Sequence, residues 1–570
     1  MEKRSLKWLS RVIGRKKLGI AVLTLLQAAA GSIGVLYAML LRNIVDCATS
    51  GQSKRFWTNS AVLFGLLGIQ LLVRACIRRL SEACRAEYEN TFKKRLLDNI
   101  LRKDLGKVSA VHSGEWLNRL TSDTQVSAGG CVDIIPGLAE MTVKLISALV
   151  MLFVLDSRFA LIIVPAGAVM LLVTYGIRKA MKSLHKNVQE KDGKLRIFLQ
   201  ERIGSLMMIR SFAAEEMTAA EAGSLMDAHK SARMKRNAFS NVFSTGFSAA
   251  MSGMYLFGAC YCGYGIMKGF MTFGTLTAVT QLISQLQTPV ANISGYLPKI
   301  YTVTASAERL MEIEEIPDDL SGELKTAEET SSFYNEKLDS FGLKDIAYTY
   351  YPAAEAPGEL SKERMPQVLK DISINVKKGE YVALTGTSGC GKSTILKLLM
   401  GVYTPDSGER YLTCKDGSRI PLTPEWHRLF AYVPQGNHLM NGTVREAVAF
   451  AEPEAGSDSE RLSRALKIAC AEDFVNELEN GADTLLGERG AGLSEGQTQR
   501  IAVARAIFSG SPVLILDEAT SALDSASEKK LLENLRSMTD MTVLIVTHRP
   551  AALDICDRII KITESGVHEI

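Results

Sequence analysis

The sequence predicts two folds in series: an all-α bundle of six membrane-spanning helices over residues 1–315 and, after an acidic segment at 316–340, an α/β domain over 341–570. Three observations carry that division. The first half holds long uncharged apolar stretches, a glycine-rich loop in the second half lies between a β-rich run and a helical one, and a later β-rich run ends in two adjacent carboxylates. The average conceals the contrast, because 22% charged and 47% hydrophobic residues would suit an ordinary soluble protein. At 570 residues the chain also exceeds what one core accommodates. A net charge of +4 is too small for an electrostatic nucleic-acid binder, so no nucleic-acid partner is expected. Ten cysteines without a CxxC pair give neither a zinc framework nor a disulfide scaffold, which implies reduced, cytosol-facing thiols.

Residues 18–41 carry no charged side chain and exceed the roughly 20 residues a helix needs to cross a hydrocarbon core. The run ends in Leu40, Leu41 and Arg42 rather than at a small-residue cleavage site, so it reads as a span and not a signal peptide. Further apolar stretches cover 61–73, 145–155 with 134–143 leading in, 159–177, 237–267 and 269–298, the last two separated by Lys268. The 61–73 run is short and must borrow Phe56, Trp57 and polar flanks to span; a re-entrant or buried helix is its alternative. Basic residues cluster before the first helix (Lys3, Arg4, Lys7), after the second (Arg74, Arg78, Arg79) and after the fourth (Arg178, Lys179, Lys182), which places those segments in the cytoplasm. Six crossings return the chain there, so the N-terminus and everything after about residue 299 are expected to be cytoplasmic. The connections 74–133 and 178–236 are long and charged, with helical spacing such as Phe92, Leu96, Ile100, and read as membrane helices prolonged into the cytosol.

In the second half, the run 381–385 leads into Gly386, Thr387, Ser388, Gly389, Cys390, Gly391, Lys392, Ser393 and Thr394, followed by a helical pattern. This is GxxxxGK[ST] in the context its mechanism requires. Glycines let backbone N–H groups close around phosphate oxygens, the helix N-terminus adds positive potential, Lys392 reaches the β- and γ-phosphates, and Ser393 can ligate Mg²⁺. The run 513–516 ends in Asp517 and Glu518, which suits a Mg²⁺-nucleotide site: Asp517 for the metal shell, Glu518 to polarise the attacking water. A third run, 542–546, ends in Thr547 and His548, whose imidazole could meet the γ-phosphate or Glu518.

These motifs, in this order, resemble those of the ATP-binding cassette (ABC) family, and the whole chain is similar to a half-transporter with the exporter-type membrane fold. Leu493-Ser494-Glu495-Gly496-Gln497 resembles the family signature LSGGQ, and Gln435 and Ser521-Ala522-Leu523-Asp524 fall where the family carries its corresponding motifs. The resemblance implies a composite site, with ATP and Mg²⁺ held by the 386–394 loop of one cassette and capped by Ser494, Gly496 and Gln497 of another. This chain has one cassette and so is expected to pair with a second half-transporter, identical or different. The resemblance further implies that Gln435 senses Mg²⁺ and the γ-phosphate, that Asp524 lies at the seam, and that Tyr350 stacks on adenine, with Tyr348 and Tyr351 as neighbouring candidates. Glu518 and His548 are the expected catalytic pair. Glu495 departs from the family glycine; its carboxylate either faces the triphosphate and weakens capping or points to solvent.

Residues 114–123 and 201–215 resemble the family's two coupling regions, which would meet a cassette. Residues 1–17 leave no room for a peptidase domain, so leader-processing export is not expected. The expected activity is ATP hydrolysis driving export of a small amphipathic molecule, lipid or peptide through a membrane, with a bacterial inner membrane as the expected location; a gated or regulatory subunit is the alternative. Arg74, Arg78 and Lys144 suggest a basic inward cavity for anionic or amphipathic cargo, unless they snorkel or pair locally, as Glu140 and Lys144 could at i, i+4.

Overall fold

The computed structural model describes residues 2–319, 322–353, 365–436, 439–487, 492–538, 540–563 and 566–569. They form two compact units: residues 1–95 with 119–311, and residues 96–118 with 312–570.

The first unit is helical. A short amphipathic helix, Glu2–Ile13, precedes six long ones: Lys17–Thr49, Ser53–Arg102, Thr124–Leu155, Ser157–Gly204, Glu215–Met267 and Phe273–Glu312. Among the described residues, three helical stretches (4–49, 53–102 and 113–155) are both long and apolar enough to cross a membrane. The second, fourth and fifth long helices have 50, 48 and 53 residues. At 1.5 Å per residue each is over twice as long as a hydrocarbon core of about 30 Å, so a large part of each lies outside it. Ala38, Ala148, Leu152, Cys262, Leu282 and Ile283 form a buried apolar cluster between helices. Gly31 permits close approach: a Cβ there would lie 2.7 Å from the carbonyl oxygen of Glu140. Asp123, 1% exposed, accepts a hydrogen bond from Arg309 Nε at 2.8 Å, while the buried Arg119 donates to the Arg309 carbonyl.

The second unit carries two main sheets. Strands β1 (Leu338–Thr349), β2 (Gln367–Lys377), β4 (Ser407–Cys414) and β5 (Arg419–Pro421) form an antiparallel sheet in the order β2-β1-β4-β5. Strands β3 (Tyr381–Gly386), β6 (Phe430–Val433), β9 (Val513–Asp517), β10 (Thr542–Val546), β11 (Arg558–Thr563) and β12 (Gly566–Glu569) form the other, in the order β12-β11-β3-β10-β9-β6. A two-stranded ribbon, β7 (Gly442–Thr443) with β8 (Leu485–Leu486), completes the set. The β3, β6, β9, β10 and β11 strands are mutually parallel, and every residue of β9 and β10 is buried, as unbroken apolar runs covered on both faces require. Register then aligns their carboxyl ends: Val546 pairs with Asp517 on one side and with Leu384 on the other. A parallel sheet places its ligand crevice just beyond such ends.

Part of the segment expected as a linker is folded into this unit. Ala327–Glu336 is a helix capped reciprocally by Thr326 and Glu329, and Tyr334, 1% exposed, bonds to the Thr542 hydroxyl at 2.8 Å. The tip of the connection between the second and third long helices belongs here as well. Asp104 N–H donates to Pro317 O (3.1 Å), Asp319 N–H to Arg102 O (2.9 Å), and Lys103 pairs with Asp318 (2.9 Å). The 114–123 stretch is therefore divided, residues 114–118 lying in this unit and 119–123 in the helical one. Periodicity identifies a helix but not the surface that buries it, which is why the sequence shows no such division.

Candidate nucleotide site

The glycine loop connects β3 to the helix Lys392–Leu399. Gly391, the residue before that helix, has φ 96°, and a Cβ there would lie 2.5 Å from Leu369 Cδ2, so both backbone and space demand glycine. No side chain caps this helix, which leaves its first N–H groups available to an anion. Lys392, 7% exposed, folds over the loop and donates from Nζ to the carbonyls of Gly386 (2.8 Å) and Thr387 (3.0 Å). Ser388 and Gly389 at the loop's apex are exposed, Cys390 is half-buried, and Ser393 follows Lys392 in the first helical turn.

The carboxyl ends of β9 and β6 bring three expected residues together. Gln435 Nε2 donates to Glu518 Oε2 at 2.7 Å, and Asp517 is adjacent, 2% exposed. One Asp517 oxygen accepts from the Tyr432 hydroxyl at 3.0 Å; the other, Oδ1, is buried without a hydrogen-bond partner. A buried, half-satisfied carboxylate suits a hard divalent cation, and Asp517, the Ser393 hydroxyl and the Gln435 amide are the oxygen-donor types that Mg²⁺ takes. Burial and the neighbouring Asp517 carboxylate push the Tyr432 phenol well above its ordinary pKa, so it remains a proton donor. Glu518 has φ 52°, unusual for a residue other than glycine, and its N–H donates to Val546 O at 3.1 Å. His548, exposed, comes two residues after the end of the neighbouring β10.

The signature helix, Glu495–Phe508, begins differently. Ser494 Oγ accepts from Gln497 N–H (3.2 Å) and Gln497 Oε1 accepts from Ser494 N–H (2.8 Å), a reciprocal capping box. Glu495 occupies the exposed first helical position, where its charge complements the helix dipole. Gly496 lies under the loop that follows Glu518: a Cβ there would be 2.9 Å from Ala522 O. Asp524 caps the helix Ser525–Arg536, accepting from Ala526 N–H (3.1 Å) and Ser527 N–H (3.0 Å), and the Ser527 bonds hold its carboxyl below the usual range.

The structure separates the three tyrosines. Tyr348 is buried and stacked on Tyr403 (5.5 Å between centroids), and Lys107 sits over the ring of Tyr351 (5.5 Å). Tyr350 is half-buried and its hydroxyl bonds to Thr394 Oγ1 at 2.8 Å, which ties it to the glycine-loop helix. The polar stretch expected as a surface loop after it falls largely on residues 354–364, outside the described residues.

Three residues of the site escape a reading of the sequence. Tyr432 orients Asp517. Gln499, 3% exposed, bonds to Glu518 O (3.3 Å), Ser521 Oγ (3.2 Å) and the N–H of Ala522 (3.1 Å). Arg549 donates to Leu523 O (3.0 Å), Ser521 O (2.7 Å) and Glu528 (2.8 Å). The 518–524 loop is thus held by the signature helix on one side and by the residue after His548 on the other. The only sequence signal was the placement of Gln499 and Arg549 next to motif residues.

A membrane helical region joined to an α/β cassette with this phosphate loop and acidic strand end defines an ATP-driven membrane transporter. Residues 20–290 match the family described as ABC transporter transmembrane region, and residues 369–521 match ABC transporter. An ATP-dependent lipid A-core flippase of Syntrophus aciditrophicus is 30% identical over 498 residues, 84% of this chain and 77% of that protein. ABC transporter B family member 1 of Dictyostelium discoideum is 29% identical over 89% of this chain, which spans 54% of that relative's length. The chain belongs to the ABC transporter family. Its fold is similar to the structure of a bacterial Atm1-family ABC exporter with ATP bound, with a TM-score of 0.77 at 21% identity, covering 98% of this chain and 95% of that one. It is an integral membrane protein that binds nucleotide in its cassette.

Proposed function

We propose that the protein exports a small amphipathic molecule, lipid or peptide across a bacterial inner membrane, driven by ATP hydrolysis in a dimer, with cassette and N-terminus in the cytoplasm. The observation that carries the hydrolytic reading is the Gln435–Glu518 hydrogen bond next to the unsatisfied Asp517 oxygen. In this reading Lys392 leaves its two loop carbonyls for the phosphates, and the uncapped helix start donates N–H groups to them. Ser393, Gln435 and Asp517 would hold Mg²⁺, which when bound neutralises phosphate charge. Glu518 accepts a proton from the attacking water, and His548 steadies the γ-phosphate from the neighbouring strand end. Tyr350 lies beside the loop for the adenine.

Completion by a second copy is supported by the signature helix, whose Ser494, Gly496 and Gln497 would cap the other cassette's nucleotide, with Asp524 nearby. It is supported also by the 201–215 stretch, where Ile203, Met207 and Phe212 are 72%, 88% and 77% exposed, in a segment read as cytosolic that calls for a cover. Lipid as a cargo class agrees with the name of the Syntrophus relative. Glu495 favours a second reading of the assembly, a heterodimer in which this signature caps the weaker of two sites. Measuring ATPase in reconstituted vesicles tests the central claim: Glu518→Gln is expected to lose at least about 100-fold in rate. Equal rates would leave a gating subunit as the reading.

A further inference from the structure

Two charged side chains of the third long helix lie deep in the helical unit. Gly31 of the first helix fixes their depth, since a Cβ there would lie 2.7 Å from Glu140 O and 3.3 Å from Lys144 N. Gly31 sits thirteen residues into the uncharged 18–41 run and ten from its end. At 1.5 Å per residue that is about 20 Å from one end and about 15 Å from the other, close to the middle of a bilayer. Lysine stems snorkel only from near the ends of such a helix. Both residues are half-buried, and among the described residues neither forms an ion pair or a side-chain hydrogen bond, although they are one turn apart. The local pair that the i, i+4 spacing allows is therefore not made.

A second element points to the same level. Gln285 of the sixth helix, 8% exposed, donates from Nε2 to Gly34 O at 2.6 Å, one turn along from Gly31, while its Oε1 is buried and unpartnered. Gln27, one turn before Gly31, has a buried Oε1 that is likewise unpartnered. Tyr296 of the sixth helix places its hydroxyl against Gly137, one turn before Glu140. Three helices thus bring a carboxylate, an ammonium and two orphan amide oxygens within about two helical turns of one another, next to the apolar cluster of Ala38, Ala148 and Leu286.

We infer that Glu140 and Lys144, with Gln285 and Gln27, recognise a cargo whose head carries both an ammonium and an anionic group. This rests on the exporter reading above and narrows it, because the charge at this depth is mixed rather than basic. The anionic group pairs with Lys144, the ammonium with Glu140, and remaining N–H donors of the head meet the two amide oxygens. A singly charged amphipath would leave one intramembrane charge unpaired. A zwitterionic phospholipid and a short hydrophobic peptide with free termini share this chemistry.

The full-length protein in lipid nanodiscs, without nucleotide, provides the test, with binding corrected for empty discs. Dodecylphosphoethanolamine below its micellar concentration is expected to bind at least tenfold more tightly than dodecyl phosphate or dodecylammonium. Lys144→Met and Glu140→Gln are each expected to lose about that factor, and the exchanged pair Glu140→Lys with Lys144→Glu to recover it. Equal binding of the three probes by the wild type, or single variants that keep its preference, would overturn the inference. If a single variant does not fold, the wild-type ranking and the exchanged pair decide. Displacement of the probe by short-chain phosphatidylethanolamine identifies a lipid head, displacement by a hydrophobic tripeptide identifies peptide termini, and displacement by neither counts against the site. Binding without ATP is independent of the Glu518→Gln hydrolysis assay, so the two readings fail separately.

Discussion

The two helix starts proposed to meet nucleotide phosphates are built on opposite principles. The helix after the glycine loop begins at Gly391 with no side-chain cap, whereas the signature helix is closed by the Ser494–Gln497 box and carries Glu495 in its first turn. The first is open to an anion as it stands. The second already satisfies two of its orphan groups internally, so a phosphate must displace Gln497 N–H from the Ser494 hydroxyl to gain it. Affinity for nucleotide should therefore reside in the open start, and the signature start should contribute only when assembly brings a phosphate close enough to compete.

The largest effect should come from breaking the open start. Gly391→Ala forces a Cβ into Leu369 at φ 96°, and ATP binding measured by equilibrium titration should fall at least about tenfold, with folding weakened by about 1–3 kcal/mol. Ser494→Ala breaks the closed start. It should cost about 1 kcal/mol of cassette stability in thermal unfolding while leaving ATP affinity of the isolated half-site unchanged. An equal loss of affinity in both variants would erase the distinction. Tyr432→Phe removes the bond that orients Asp517, so the Mg²⁺ concentration for half-maximal ATPase should rise a few-fold, while metal-free ATP binding stays constant. The smallest change expected is that of Glu495→Gly, which sharpens the comparison: it deletes a dipole-favouring charge, costs a few tenths of a kcal/mol, and should raise the assembled dimer's ATPase if the carboxylate faces phosphate.

Strand, loop and helix around Lys392 were legible because glycine, lysine and serine spacings are chemically obligatory. Asp517 and Glu518 were legible only in company with the glycine loop, because strands often end in an acid and the pair alone says little. Sheet order was not: that β10 lies between β3 and β9, and so ends beside the strand that ends in Asp517, depends on long-range pairing that no local run encodes. Tyr432, Gln499 and Arg549 act through diagonal or distant contacts, and their types are common in any strand or helix. Tyr350 was separable from Tyr348 and Tyr351 only by its bond to Thr394. In the helical unit, uncharged length identified membrane segments, while the depth of Lys144 depended on a glycine of another helix.

Glu518 sits in a left-handed backbone conformation that a side chain with a Cβ adopts reluctantly, held there by Val546 at its N–H, Gln499 at its carbonyl and Gln435 at its carboxylate. A relaxed extended residue would continue the line of β9 and carry its carboxylate to the opposite face from Asp517. The kink works like a cocked hinge: it swings the acid to the same rim as its neighbour, and the fold tolerates the tension because three separate elements restrain it. Fidelity of the chemistry is in this sense inherited from distant scaffolding, and drift at Gln499 would be felt as a misaimed acid long before it registered as an unstable protein.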